Sequence, residues 1–404
     1  MNKTLITGVG ALSSLGYGIH ENWKNLLSDH VNQEIRRYSL GNRIVEYPIY
    51  SIPEYDWKSN LTKEQIDKVQ EFNLEEDKDF VYLVTVINQA IQDANLEVKN
   101  KNVSLIVGHE NLGVVPLVDQ LLTTSQSKTI SFSDYQNAFF HIQSFPYLFY
   151  LSSIFSIKGL TFVVNNACAS GLYALDLGKK LIETKEADAV IVATSDYSHV
   201  SEYLWFQDKN FLSTSHQLKP FDQNRDGTVL GDGAAAVVLE PNDSSKLYKP
   251  YCTYTKGFFL QDGWKMTLPD VTSHGYTNVL RRAGEFLNKH IDLLIPHGTG
   301  SGMWDSYESS EISKAFSPSF PHHITTFKGY IGHTLGASSL LETVLGIKSL
   351  WEGIIPASRN TNVPDMNSKI EINTKHQKKQ LKNMVKSLPA FGGFNAACIF
   401  EALD

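Results

Sequence analysis

Apolar positions along this chain fall into two kinds of run. The first kind is short, β-branched and closed by polar residues or glycine: Leu5-Ile6-Thr7, VSLIVG at 103–108, LTFVV at 160–164, DAVIVAT at 188–194, AAAVVLE at 234–240 and DLLIP at 292–296. Runs of this length and composition predict buried strands. The second kind repeats its apolar residues every three or four positions, as in HENWKNLL at 20–27 and DFVYLVTVINQAIQDANL at 79–96, and predicts amphipathic helices. Strands alternating with helices place the chain in the α/β class.

The opening LITGVG predicts a strand ended by a glycine turn before a helix. Gly8, Gly10 and Gly16 do not have the spacing of a dinucleotide fingerprint. Residues 29–60 are mixed and polar, and YPIYSIPEYDW within them is expected to cross the surface. The stretch 132–155 is crowded with Phe132, Tyr135, Phe139, Phe140, Phe145, Tyr147, Phe149, Tyr150 and Phe155. A helix buried in the fold or at a subunit contact is the simpler expectation, and a wall of rings around a flat or long apolar substrate the sharper one. The glycine-punctuated LKPFDQNRDGTVLGDG from Leu218 predicts an ordered loop feeding a buried strand. Polar residues from Asn242 to Lys249 mark the best internal boundary and divide the chain into units 1–241 and 250–404. The two units share a grammar: NNACASGLYALDLG and GYIGHTLGASSLLETVLG each place a reactive side chain before a run of small residues and leucines, the mark of a duplicated half.

Composition narrows the function classes. A chain of 404 residues that is 42% hydrophobic and 20% charged has ample core, and its net charge of −7 argues against a nucleic-acid partner held by overall charge. No apolar run approaches the ~20 residues of a membrane span, and no signal-peptide pattern opens the chain. Cys168, Cys252 and Cys398 form neither a disulfide framework nor a metal-binding CxxC pair, so a reducing cytoplasm is expected.

Candidate chemistry centres on Cys168. Strand 160–164, a turn of two Asn and an Ala, and a helix from Ala169 place this thiol near a helix N-terminus, where unsatisfied N–H groups favour a thiolate or a developing oxyanion. His297 follows the strand DLLIP and stands beside glycines; Lys328 and His333 fall in a turn before a second helix, and Glu342 lies inside that helix. Lys328 and Glu342 also fit a buried ion pair. One Cys and two His, all at strand-end turns, suit acyl transfer through a thioester.

With these residues in place the chain resembles the elongating β-ketoacyl-acyl-carrier-protein synthases, condensing enzymes of the thiolase fold. The resemblance rests on TGVGALSSLG, NNACASG, KPFDQNRDGTVLGDGAAAVVLE, HGTGSGMWDSYE, KGYIGHTLGASSLLE and FGGFNAACIF, in that order along the chain. Initiating members of the family carry Asn where this chain has His333. The resemblance implies two duplicated halves layered α-β-α-β-α, with Cys168 as nucleophile and His297 and His333 as hydrogen-bond donors to a malonyl thioester. It implies that Lys328 and Glu342 order the site, that Phe391 and Gly392 form the oxyanion and gating loop, and that Thr267, Thr299 and Ser301 contact pantetheine. The implied partners are an acyl carrier protein and a homodimer or heterodimer mate of the ketosynthase or chain-length-factor kind. No metal or bound cofactor is implied, because the substrates ride on the carrier's phosphopantetheine.

Several residues depart from the pattern. The closing loop reads LPAFGGFN, with Pro389 and Ala390 in place of the usual residues, which predicts a stiffer gate. Trp304 stands where the first histidine motif commonly has a smaller residue. Glu75, Glu76 and Asp77 occupy positions where relatives tend to show basic residues to the carrier. Lys375, Lys378, Lys379, Lys382 and Lys386 are read as a solvated face, or as a basic surface that compensates. These departures favour a specialised pathway, such as polyketide or aryl polyene assembly, over housekeeping fatty-acid elongation. A non-catalytic chain-length-factor role is the alternative, and intact Cys168, His297 and His333 argue against it. A thiolase would need a second catalytic Cys, and Cys398 is expected to be structural.

Overall fold

Strand β1 (Thr4–Ser13) runs straight through the glycines that the sequence marks as a turn. A Cβ at Gly8 or Gly10 would collide with the carbonyl of Ala90 or Val86, so these glycines serve the close approach of a helix to the strand. The computed structural model describes residues 3–40, 42–109, 118, 143–242, 250–288, 290–365 and 370–403. After β1, the main sheet takes β2 (Val103–Gly108), β3 (Thr161–Val164), β4 (Ala189–Asp196) and β5 (Gly233–Pro241) from the first half of the chain. From the second half it takes β6 (Cys252–Gln261), β7 (Leu293–Ile295), β8 (His323–Ile324), β9 (Asn383–Pro389) and β10 (Phe394–Glu401). Among the described residues these strands lie in the order β8-β7-β9-β10-β6-β1-β5-β4-β2-β3, with the short strand Gly16–Tyr17 beside β1.

Counted within each half, the order is the same, third-second-fourth-fifth-first. The pairings repeat as well: the outer two are parallel and the inner two antiparallel. The halves join where β1 pairs antiparallel with β6, Thr4 against Tyr254 and Ile6 against Cys252. The sequence echo around Cys168 and His333 is thus a repeat of topology. Of the boundary segment at 242–249, only Asn242 lies within the described residues.

The helices are α1 (Gly18–Leu27), α2 (Lys63–Glu71), α3 (Lys78–Asp93), α4 (Phe145–Phe155), α5 (Ser170–Glu183), α6 (Val200–Asp208), α7 (Gly275–Phe286), α8 (Gly302–Phe316) and α9 (Ser338–Glu352). The strands alternate their side chains between two buried faces. Val190 and Val192 of β4 point into the cluster that holds Leu172 and Leu175 of α5 with Leu340, Leu341 and Val344 of α9. Ala189 and Ile191 point the other way, onto Phe80, Leu83 and Ile87 of α3. In the second half Val385, Ala397 and Ile399 face Tyr276, Val279 and Leu280 of α7. Helices α5 and α9 therefore form the middle layer, with sheet and then helix on either side, the layered thiolase architecture. They meet closely: a Cβ on Gly171 would stand 2.7 Å from Leu340 Cβ.

Two expectations need correction, and a third holds for one face of its helix. Residues 33–50 form a hairpin, Gln33–Leu40 against Arg43–Tyr50, with Tyr47, Ile49 and Tyr50 buried. Its Arg36 grips Asp232 through two hydrogen bonds, of 2.5 and 3.2 Å, and donates to the Ser198 carbonyl, so the polar strand is anchored from beneath. Asp77 does not face outward toward a partner. It caps α3 by accepting from Phe80 N–H and takes a short hydrogen bond from the Tyr147 hydroxyl. In the aromatic stretch, Tyr147 and Phe155 of α4 pack against α3 while Phe145 and Phe149 are exposed. Phe132, Tyr135, Phe139 and Phe140 lie outside the described residues.

Candidate active site

Cys168 occupies the turn between β3 and α5, two residues ahead of the first residue of the helix, as the apolar pattern predicts. Ala167 adopts φ +50°, a left-handed conformation uncommon for a residue with a Cβ. Ser170 holds this bend: its hydroxyl donates to the Ala167 carbonyl at 2.6 Å and accepts from Asn166 N–H at 2.9 Å. The tight turn brings Cys168 Sγ within 3.5 Å of His333 Nε2, across 165 residues of sequence.

His333 arrives by the repeated route, in the turn before α9. The long loop after Leu218 fixes that turn from the side. His333 N–H donates to the Val229 carbonyl and Gly231 N–H to the His333 carbonyl, at 2.8 and 3.1 Å. Gly231 must lack a side chain, because a Cβ there would collide with the Ile331 carbonyl. The same loop reaches the other histidine segment through Gly227 N–H to the Gly300 carbonyl, at 3.1 Å. This explains its ordered, glycine-punctuated sequence.

His297 leaves the end of β7 on a loop whose N–H groups are collected by two carboxylates from α8. Glu308 accepts from the backbone N–H groups of His297 and Gly298 and from the Tyr276 hydroxyl. Asp305 accepts from Phe221, Thr299 and Gly300 N–H. Burial raises both, Asp305 to about 6 and Glu308 to about 7, against the pull of those N–H donors. Sequence reasoning missed both residues, although two carboxylates three positions apart in a helix directly after HGTGS carry a signal for this role.

The hydrogen bonds also set the imidazole tautomers. Leu335 N–H donates to His333 Nδ1 at 3.2 Å, which leaves Nε2 as the protonated nitrogen of a neutral ring. Lys328 Nζ lies 3.0 Å from His297 Nδ1 and can only donate, so His297 likewise carries its proton on Nε2. Burial, then the charge of Lys328, hold the His333 ring down to about 3, and the same two causes in the same order take His297 well below the usual imidazole range. Two neutral rings, their planes at 90° and centroids 5.1 Å apart, stand beside one thiol.

Behind them lies a buried charge group. Glu342 bonds Lys328 through Oε1, and it bonds Lys386 through Oε2 at 2.8 Å. Burial opposes ionisation of Glu342, but the two lysines outweigh it and hold the carboxyl at about 2. The expected Lys328–Glu342 ion pair is present. Lys386 corrects the reading of a lysine-rich face: Lys375, Lys378, Lys379 and Lys382 are exposed, whereas Lys386 is fully buried. Strand periodicity held the clue, since Lys386 falls on the inner face of the apolar run β9.

Cys168, His297 and His333 open onto a cavity of about 30 Å³, room for one or two waters. Phe206, Phe211, Thr228, Thr299, Ser301, Trp304, Pro389 and Phe391 complete its walls. Phe391 stacks near Phe206 and packs against Phe211 and Trp304. Gly392 and Gly393 sit at φ +76° and +72°, and Gly392 N–H ties the loop to the Met266 carbonyl at 2.7 Å. Of the three residues matched to pantetheine, Thr299 and Ser301 line the cavity; Thr267 does not, though it adjoins Met266. No ring from α4 lines it. Cys398 is buried in β10 against the Tyr254 hydroxyl, its thiol pushed up by burial and away from the cavity wall, as a structural residue should be.

Sγ and a nitrogen from each ring lie within 4.8 Å of one another, donors that a soft divalent metal accepts. The buried pair of lysines behind them works against a cation and in favour of negative charge developing in the cavity. No helix among the described residues is long and apolar enough to cross a membrane.

Residues 1–245 match the family model for the beta-ketoacyl synthase N-terminal domain, and residues 251–362 the one for its C-terminal domain. A 3-oxoacyl-[acyl-carrier-protein] synthase 2 of Coxiella burnetii is 26% identical, covering 99% of this chain and 98% of that protein. A polyketide biosynthesis malonyl-ACP decarboxylase of Bacillus subtilis is 25% identical over 100% of this chain and 97% of its own. Among solved structures, the ishigamide ketosynthase/chain length factor superposes with a TM-score of 0.85 at 20% identity, covering both chains completely.

Proposed function

The chain belongs to the beta-ketoacyl synthase family and is an acyltransferase of the ketosynthase type, and we propose that Cys168 carries its acyl group between the two halves of a decarboxylative condensation. The observation that carries this reading is the meeting of one thiol with two neutral imidazoles, each presenting an Nε2–H, at a single cavity.

An acyl carrier protein delivers a thioester, and Cys168 attacks its carbonyl as the thiolate. The carrier's thiol leaves with a proton, and the acyl group stays on Sγ. A malonyl carrier protein follows. Its thioester oxygen accepts from the Nε2–H groups of His297 and His333. The bond to the carboxylate breaks, carbon dioxide departs, and the electron pair moves into a thioester enolate. Charge on that oxygen is greater in the transition state than in the substrate, so fixed neutral donors lower the barrier. The enolate carbon then attacks the acyl carbonyl on Cys168. The backbone N–H groups of Cys168 and Phe391 receive the oxyanion, which collapses, expels the Cys168 thiolate and releases a β-ketoacyl carrier protein. Lys328 and Glu342 order the histidines. Phe391 and Gly392 gate the cavity, and Thr299 and Ser301 receive the pantetheine arm, with Thr267 nearby. No metal or organic cofactor takes part.

The aromatic wall of Phe206, Phe211, Trp304 and Phe391 supports a specialised polyketide, aryl polyene or fatty-acid pathway over general elongation, because ring faces favour conjugated or aryl acyl groups. The working unit is a homodimer or a heterodimer with a related ketosynthase or chain-length-factor subunit. Three buried cysteines outside any disulfide suit a reducing compartment such as the cytoplasm. A non-catalytic chain-length-factor role is disfavoured by the intact thiol and imidazoles.

Intact-protein mass spectrometry against saturated, polyenoic and aryl acyl carrier proteins tests this reading, with Cys168→Ala in parallel. An acyl adduct lost in the variant is the expected result, and full loading by saturated donors alone would overturn the specialised pathway. Absence of any adduct, with and without a candidate partner subunit, would overturn catalysis by Cys168.

A further inference from the structure

We infer that Lys386 is a positioning residue for decarboxylation, the second cation of a buried Lys328–Glu342–Lys386 group that holds His297 by its ring and by its backbone; this rests on the ketosynthase reading above.

The grip on His297 has two arms. Glu342 and Lys328 form the first, ending at Nδ1 of the ring, and Ser338 Oγ steadies Glu342 with a further hydrogen bond of 2.6 Å. Lys386 forms the second. Its ammonium donates to Glu342 Oε2 at 2.8 Å, to the Pro296 carbonyl at 3.1 Å and to the Ile295 carbonyl at 3.4 Å. Pro296 directly precedes His297, so one lysine fastens the strand end from which the histidine projects to the carboxylate that orients Lys328.

Charge adds to the geometry. Glu342 balances one lysine; the second, buried in β9 opposite Cys398 of β10, adds a positive charge beyond it, which burial disfavours and the hydrogen-bonded Glu342 carboxylate sustains. Burying an extra ammonium is costly unless something repays it. Negative charge on the thioester oxygen beyond the imidazoles does so, and it reaches that oxygen only as the bond to the malonyl carboxylate breaks and the carboxylate's charge passes into the enolate. Both rings feel the charge of Lys386 in the sense that keeps them neutral. The other charged or titratable groups around them are Cys168 at the start of α5, Lys328, Glu342 of α9, and Asp305 and Glu308 of α8. A protonated His333 would turn an Nδ1–H against Leu335 N–H, and a protonated His297 would turn one against Lys328.

The test uses the full-length protein, malonyl carrier protein for carbon dioxide release, and acyl carrier protein for Cys168 loading read by intact mass. The variants are Lys386→Met, Lys386→Gln, which keeps a donor for the Pro296 carbonyl, and Lys386→Met with Glu342→Gln, which restores the net charge through Lys328. Both single variants are expected to lose decarboxylation kcat about tenfold or more beyond any loss in loading, with KM for malonyl carrier little changed. The acid limb of their pH profile should move to higher pH, and the double variant should recover most of the rate. Unchanged kcat and acid limb in the folded single variants would overturn the inference. So would equal loss of loading and decarboxylation without recovery in the double variant, or failure of all three variants to fold, because each assigns Lys386 a purely structural part. If the wild type releases carbon dioxide but never loads Cys168, the ketosynthase reading fails while the Lys386 comparison still stands on decarboxylation alone.

Discussion

Lys328 Nζ lies 3.0 Å from His297 Nδ1, and because lysine has no acceptor to offer, this contact confines the ring nitrogen to accepting. The proton of His297 is thereby sent to Nε2, the nitrogen free to meet a substrate carbonyl. Leu335 N–H does the same for His333. Two rings far apart in sequence end up as matched donors, although one is aligned by a side chain and the other by a backbone amide.

Replacing His333 with Ala removes one of these donors. Malonyl decarboxylation is expected to fall roughly 10²-fold, the scale for losing one preorganised donor at a developing oxyanion. Loading of Cys168, followed by intact mass, should fall far less. Equal loss in both assays would place His333 in the activation of the thiol instead.

Stability should respond to pH through the same ring. The folded His333 binds its proton only near 3, while the unfolded one binds near 6.5, so the unfolded state takes up more protons between these values and stability falls as pH drops through that window. Asp305 and Glu308, with raised values of about 6 and 7, titrate in the opposite sense over part of the range. The informative quantity is therefore a difference. Melting temperatures of the wild type relative to His333→Gln should decline steadily from pH 6.5 towards 3, and a flat difference would contradict the buried neutral ring.

Trp304 packs edge-on to Tyr307 and against Phe391, and it walls the small cavity beside Cys168. Trp304→Ala is expected to destabilise the fold by about 3 kcal/mol, from lost burial and the void left behind. It should also admit bulkier acyl groups, seen as new adducts in the loading panel. An unchanged acyl range would show that the limit on substrate size lies elsewhere on the wall.

Gly231→Ala tests the clamp on the His333 turn. The added methyl collides with the Ile331 carbonyl, so the turn or the loop must shift. Condensation is expected to drop at least ~10-fold, since catalysis is sensitive to misplacement on the order of 1 Å. Circular dichroism and melting would separate a displaced turn from global unfolding, and wild-type turnover would contradict the clamp.

Much of this protein was legible without coordinates. Strand β2 falls on the residues its apolar run predicts, and β3, β4 and β5 fall within a residue or two, because sheets buried on both faces require continuous β-branched runs. Cys168, His297 and His333 were also visible, since Cys168 and His297 follow apolar strands and His333 stands in the turn before a helix, each beside small residues. What misled was local. Gly8 and Gly10 read as a turn because their role, admitting the backbone of α3 at Ala90 and Val86, belongs to partners 82 and 76 residues away. The hairpin at 33–50 read as surface because its anchor, the Arg36–Asp232 pair, spans 196 residues.

The sequence by itself determined the strands, the positions of the Cys168 thiol and the two histidines, and the repeat that carries them, because periodicity and the residue types around turns are properties of neighbours along the chain. Tertiary structure alone decided which nitrogen of each ring holds the proton, which carboxylates gather the His297 loop, and that Lys386 leaves a run of solvated lysines to join Glu342 in the core. Those outcomes depend on distances between elements brought together only when the two halves close around α5 and α9, and on burial, which turns a lysine from a surface charge into part of the electrostatics of the site.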